Sequence, residues 1–401
     1  MRSGKLTRIL FLGLPLLAIL LPGCGDFWQA PTTTTTTCTS NCTTATSGNF
    51  YILNAGSTPQ IVGESIVSGT VTALSGSPWT VVGTPYSMAI APNGDFLIVS
   101  TTAGVFSFPI TNGVLGTGVV VTTDEAYAVQ VDATDSWLIE AIPATNGLVV
   151  GAVPISSTTG ANNGSEKSAG FTITNASVQT NKMAVSPDNA NILIALGAGG
   201  TVIVPFDAAV TTGNNPFGTK ATTIPVANAS GSAISVAVDP STTPRLFYIG
   251  ETLGNSAGTS GGLRVFNYAS LATGTLTQPT GSPFASGGLA PNFILPAASG
   301  DYVYVANGAG TASAGNITGF TITASTAANP VYTIASATST AAGVQPLAMA
   351  EDSSSTFVFE VGSLGSPYFD AYTFDTTTAG QLDSQIVSST ATSSIAIVAT
   401  P

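Results

Sequence analysis

Residues 88–100 read MAIAPNGDFLIVS: an apolar run, the turn Pro92-Asn93-Gly94-Asp95, then a second apolar run. β-Branched and aromatic residues suit a pleated, buried surface, while Pro, Asn and Gly suit a tight turn, so the stretch reads as strand, turn, strand. Related stretches begin at Val129 (VQVDATDSWLIEA), Met183 (MAVSPDNANILIAL), Val236 (VAVDPSTTPRLFYIG), Ile294 (ILPAASGDYVYVAN) and Leu347 (LAMAEDSSSTFVFEV). Their spacing, irregular and about fifty residues, fits a propeller blade better than the shorter rung of a solenoid.

Each unit runs on into further strands, as in VFSFPI from Val105, TVIVPF from Thr201, LRVFNY from Leu263, GFTIT from Gly319 and AYTF from Ala371. Turns between third and fourth strands are expected at Gly69, Gly113, Gly274 and Gly380, where glycine supplies the positive φ of a hairpin. Six copies are complete. The seventh is split: Ile395-Ala396-Ile397-Val398 is an innermost strand with no successor, and Phe50-Tyr51-Ile52-Leu53-Asn54 is a second strand with no predecessor. Pairing them closes a ring and hides its edges. The reading is an all-β, seven-bladed β-propeller of four-stranded blades over residues 49–401, with a β-sandwich array or β-solenoid as the alternative. Only 7% of residues are charged, and no heptad or long amphipathic helical pattern is present, in keeping with that class.

The first 23 residues have the layout of an export signal: Arg2, Lys5 and Arg8, the apolar run Ile9 to Leu21, then Leu21-Pro22-Gly23-Cys24. A small residue before a lone cysteine resembles the lipobox of bacterial lipoproteins, which implies lipidation at Cys24, although Pro22 departs from the commonest pattern; an ordinary secretory signal is the alternative. With Gly25 following the cysteine, an outer-membrane lipoprotein on the periplasmic or surface side is expected. Residues 24–48, including PTTTTTTCTSNCTTATSG, are Thr-rich without apolar periodicity and read as a disordered tether. Cys38 and Cys42 could form a disulfide, bind metal weakly as a C-x3-C pair, or stay free.

Three of the eight basic residues precede Cys24 and all twenty acids follow it, so the chain from Cys24 onward carries a net −15. That balance, with no basic patch, argues against nucleic acid and anionic headgroups as partners and favours solubility and cationic ligands or divalent ions; a small molecule or an envelope protein is the expected partner. No cofactor motif is found; a divalent cation in the channel is left open.

Blade geometry places the loops before innermost strands and after second strands around one mouth of the channel. The mouth is expected to gather Tyr86, Tyr127, Lys182, Asn292 and Gln345 from before innermost strands, Asn54, Glu251 and Asn307 from after second strands, and Arg264 nearby. Asn93, Asp95, Asp188, Asp239 and Arg245 fall at the opposite end, as turn-formers. Glu140 in SWLIEAIP and Glu360 in TFVFEVG stand at the ends of otherwise apolar strands. Desolvation there raises a carboxyl's pKa, as a general base or metal ligand requires, whereas a structural hydrogen-bonding role is the plainer reading.

Asp301-Tyr302-Val303-Tyr304-Val305-Ala306-Asn307 with Ile317-Thr318-Gly319-Phe320, and the segments Gly76-Ser77-Pro78-Trp79 and Gly281-Ser282-Pro283-Phe284, resemble blade signatures of the lactonase-type seven-bladed propeller family, which overlaps with Tyr-Val-Thr-Asn repeat propellers. The resemblance covers about residues 48–401. Some members are similar to bacterial 6-phosphogluconolactonase, and related enzymes use His, Glu and Arg in the channel. This chain has no histidine. A lactonase here would rest on Glu140, Glu251 or Glu360 as base, with Arg264 or Lys182 as oxyanion partner. No nucleophile elbow, Walker loop or His-containing zinc motif is present. The expectation is therefore a lipid-anchored binding module working through its channel mouth, with a lactone-opening enzyme as the alternative.

Overall fold

Met88 pairs with Val99 and Ile90 with Leu97, so residues 88–100 form an antiparallel hairpin, and Gly94 in its turn has φ +78°. This computed structural model describes residues 48–401 apart from 212, 309–313, 328–329, 365–368 and 389–392. The expected signal, the lipidation site Cys24, and the tether up to residue 47 with Cys38 and Cys42 lie outside the described residues.

The strands form seven four-stranded blades in a ring. Innermost strands are Pro85–Ile90, Ala128–Val131, Met183–Val185, Ser232–Val238, Ala290–Pro296, the latter part of Thr340–Glu351, and Ser394–Ala399. All but Ser394–Ala399 are followed outward by a hairpin partner, for example Phe96–Thr101 in blade 2 and Trp137–Ala144 in blade 3. One turn of α-helix, Ser270–Thr273, is the helical content among the described residues. The four expected turn glycines, Gly69, Gly113, Gly274 and Gly380, all have φ between +70° and +81°.

Ring closure follows the split blade. Gly48–Asn54 is sandwiched between Gln60–Val67 and Ser394–Ala399, with Tyr51 opposite Val398 and Ile52 opposite Ile397. The Ser394 hydroxyl adds a 2.9 Å hydrogen bond to Asn54 Oδ1. Blades 6 and 7 are joined more closely than separate repeats suggest. Thr340–Glu351 begins as an outer partner of Ala314–Ala324 in blade 6, with Thr340 opposite Ile317, and ends as the innermost strand of blade 7.

Side chains alternate across a strand, and both faces of a blade are covered by its neighbours. Phe50 and Ile52 pack toward blade 7, where Phe50 stacks on Phe359 and Phe369 at 4.5 and 5.1 Å, while Tyr51 and Leu53 pack toward Met88, Leu97 and Val99 of blade 2. Seven such buried clusters, one per interface, make up the core.

The turns far from the mouth are held by side-chain acceptors. Buried Asp132 accepts from the backbone N–H groups of Ser136 and Trp137, each at 2.7 Å, and Asp352 accepts from Thr356 N at 2.8 Å. Asn93 accepts from Asp95 N and Asp188 from Ala190 N, and Asp239 is paired with Arg245 at 2.7 Å. The two Gly-Ser-Pro-aromatic segments share a brace: Ser77 Oγ accepts from Gly63 N at 2.9 Å, and Ser282 Oγ from Val265 N at 3.0 Å.

Candidate functional site

Innermost strands enclose a cavity of about 280 Å³ along the ring axis. Its walls mix apolar side chains, among them Met88, Met183, Met349 and Phe293, with the polar Gln130 and Asn181. The charged residues on it are Lys182 and Glu351. Lys182 precedes an innermost strand and Glu351 ends one, so they lie toward opposite ends of the channel. Glu351 is engaged by the backbone N–H of Ala298 at 2.8 Å.

At the mouth, five of the residues expected there adjoin one another. Tyr86 and Tyr127 pack against each other with ring centroids 4.6 Å apart and planes tilted by 33°. Tyr86 donates its hydroxyl to Glu125, and that bond, more than burial, pushes the phenol pKa well up. The carbonyl of Tyr127 accepts from Asn181 N at 2.9 Å, and Asn181 Oδ1 accepts from Ser87 Oγ at 2.9 Å. Next in the chain, Lys182 sends its ammonium to the Leu347 carbonyl at 2.9 Å and lies 4.9 Å from the Phe293 ring centroid. Asn292 donates to the Pro346 carbonyl at 2.8 Å, beside Gln345, whose Oε1 accepts from Ser363 Oγ at 3.3 Å. Burial pushes the Lys182 amine down to about 7. Glu125, Ser87, Asn181 and Phe293 belong to this network and escaped the sequence reading, although each lies within two residues of one that was named.

The remaining candidates lie elsewhere. Asn307 is 1% exposed and ties its own blade together, donating to the carbonyls of Ser286 at 2.7 Å and Val305 at 3.1 Å. Asn54 is buried at the ring closure. Glu251 and Arg264 form a 2.7 Å ion pair in blade 5, with Glu251 also accepting from Ala227 N and Arg264 donating to the Pro225 carbonyl. Glu140 and Glu360 are fully buried, and neither they nor Glu251 line the cavity. Burial pushes Glu140 up to about 8, against a hydrogen bond from Thr122. Glu360 faces Asp370 across the sheet; burial first, then the neighbouring carboxylate, holds it well above the usual range, and Asp370 is raised to about 6 by burial. The three glutamates thus occupy three different blades, and no common reaction centre joins them. Among the described residues, Asp124, Glu140 and Glu166 have carboxylate oxygens close enough to share a metal ion.

The mouth can therefore stack a ring on an aromatic step and hydrogen-bond its edge. There Lys182 and Asn292 each hold a backbone carbonyl of the strand that leads into blade 7, through one hydrogen bond apiece.

No family model matches the chain, and no curated protein matches it in sequence. By structure it is similar to a Bacteroides fragilis protein considered a 6-phosphogluconolactonase candidate, at 13% identity and TM-score 0.67 over 90% of this chain and 100% of that one. A Bacteroides uniformis protein of the same description aligns at 16% identity and TM-score 0.65 over 88% and 99%. A Desulfotomaculum acetoxidans protein of unknown function aligns at 11% identity and TM-score 0.60 over 88% and 98%. The likeness is one of fold, a seven-bladed propeller.

Proposed function

We propose that the protein is a ligand-binding module of the bacterial cell envelope, anchored through a lipid on Cys24 and taking its ligand at the channel mouth. The observation that carries the reading is the Tyr86–Tyr127 step with Glu125 at its edge, set beside a floor formed by Lys182 and Asn292. Two tyrosines packed at a tilt offer a rigid apolar face with polar margins, which suits a hydroxylated ring such as a sugar, and the net −15 favours an uncharged or cationic ligand over an anionic one. The anchor draws its support from Leu21-Pro22-Gly23-Cys24 and the Thr-rich tether after it.

Calorimetric titration with a panel of sugars and simple lactones tests the mouth. Binding by the wild type that is lost in Y86A/Y127A supports it; binding that survives the double substitution removes this face from consideration. Labelling with radioactive palmitate tests the anchor, since incorporation that persists in C24A would overturn it.

A second reading, opening of a sugar or related lactone at the same mouth, draws on the description of the two Bacteroides neighbours and on Lys182, whose lowered pKa leaves a share of neutral amine at pH 7. Acid release in a pH-stat, above spontaneous hydrolysis and abolished in K182M, would establish it in place of simple binding.

A further inference from the structure

Asp124, Glu140 and Glu166 converge where blades 2 and 3 meet. Asp124 lies in the connector from Val119–Thr122 to Ala128–Val131, Glu140 in the second strand of blade 3, and Glu166 just before its outer strand Lys167–Thr172. One carboxylate oxygen from each lies within 4.8 Å of the other two. Acidic clusters on a surface are common and by themselves say little. Here, however, Glu140 is 0% exposed: its Oε1 accepts from Thr122 Oγ1 at 2.9 Å, and its Oε2 has no hydrogen-bond partner. A buried carboxylate oxygen without a donor is costly and calls for a counterpart.

The space for that counterpart is kept open by a glycine. Gly151 stands opposite Glu140 in the sheet, and a Cβ there would lie 2.7 Å from Glu166 Oε1 and 3.1 Å from Glu140 Oε2. Both oxygens therefore face the volume that a side chain would fill. Blade 5 provides an internal comparison. Glu251 stands opposite Gly262 as Glu140 stands opposite Gly151, and there the guanidinium of Arg264, two residues beyond the glycine, meets the carboxylate at 2.7 Å. Two residues beyond Gly151 is Val153. The ion pairs found among the described residues are Arg245–Asp239 and Arg264–Glu251, and neither touches this trio.

We propose that Asp124, Glu140 and Glu166 bind a divalent cation of the calcium class between blades 2 and 3, with the exposed side of Glu166 leaving room for water ligands. Calcium takes six to eight oxygen ligands at about 2.3–2.6 Å in a flexible arrangement, whereas magnesium demands a near-ideal octahedron at about 2.0–2.1 Å and keeps most of its water, so three carboxylates from separate elements suit calcium. The ion would stitch the connector carrying Asp124 to the second and fourth strands of blade 3. That connector also carries Glu125 and Tyr127, so an ion held there fixes the aromatic step from behind. The site itself is independent of what the mouth binds.

Calcium titration of the full chain, followed by calorimetry and thermal unfolding, tests the site. The wild type should bind one calcium per chain and melt at higher temperature in millimolar calcium than in chelator, with a smaller shift in magnesium. E140Q keeps the shape and the Thr122 contact, G151A fills the ligand space, and E166Q changes an exposed residue that does not threaten folding; each should weaken calcium binding at least about tenfold, since even the loss of a group that only supports a ligand costs that much. Indifference of the wild type to millimolar calcium, or binding unchanged in E166Q and E140Q, would overturn the proposal, and an equal response to magnesium would overturn the calcium assignment.

Discussion

Lys182 of blade 4 donates a 2.9 Å hydrogen bond to the carbonyl of Leu347 in blade 7, a partner 165 residues away that is reached across the channel rather than around the ring. The contact stoppers the mouth with a cation, whose stem shares the channel wall with Met183, Phe293 and Met349. Burial lowers the amine to about 7 from an unfolded value of 10.5, so between those pH values the unfolded chain binds more protons and stability rises with pH. K182M, which keeps the stem and removes the charge, should be more stable than the wild type at pH 7, with the difference closing as pH approaches 10.5. Urea unfolding of both proteins across that range checks it; a gap that does not change with pH would show that the amine titrates normally.

The Glu251–Arg264 pair has side-chain exposures of 1% and 12%, so deleting one partner strands a charge that water reaches poorly. E251Q or R264M alone should cost about 3–5 kcal/mol, and a joint replacement by leucine and methionine should recover most of the loss. A double-mutant cycle in urea measures the coupling. Additive losses would mean that the two groups act separately.

Glu360 and Asp370 face each other in blade 7, and burial raises both. For an acid whose folded pKa lies above its unfolded value, the stabilising effect is complete below the unfolded pKa and disappears as pH rises through the folded one. For Asp370 that window runs from 3.8 to about 6, and for Glu360 it starts from 4.5 and extends higher. E360Q, neutral at every pH, should therefore exceed the wild type in stability at pH 7–8, and the advantage should shrink toward pH 4. Thermal unfolding of the two proteins in matched buffers reads the crossover; parallel curves would contradict it.

Removing residues 394–401 takes the innermost strand from the closing blade and bares the edge of Gly48–Asn54. The truncated chain should melt at lower temperature and associate through the open edge, as size-exclusion chromatography would show. A permuted chain with residues 394–401 joined ahead of Gly48 should regain the melting temperature of the intact protein. Its failure to do so would mean that these residues stabilise the ring by something other than that pairing.

The blades were legible because each is local: a run such as MAIAPNGDFLIVS contains its own turn and partner, and positive φ at Gly69, Gly113 and Gly380 follows from the hairpins they close, whereas Gly274 caps the short helix Ser270–Thr273 instead. The split blade was legible too, since both halves lacked a neighbour in sequence. Which way a polar side chain points was not. Asn307 and Glu140 sit in strands whose two faces are both buried, so neither the period of two nor the nearness of a mouth-side loop distinguishes the channel from the layer between blades. The partners of Glu140 come from a connector and from the lead into an outer strand, and the partner of Lys182 comes from three blades away; no local pattern encodes such meetings.

The strand Gly48–Asn54 has one further property. It is zipped on both edges, to Gln60–Val67 on one side and to Ser394–Ala399 on the other. A pull arriving along the chain from residues before Gly48 therefore loads two ladders of backbone hydrogen bonds in shear, which must yield together, instead of peeling one edge open a bond at a time. For a ring held by its amino end, that places the attachment at a strong point of the wheel and lets the blades bear tension without unrolling.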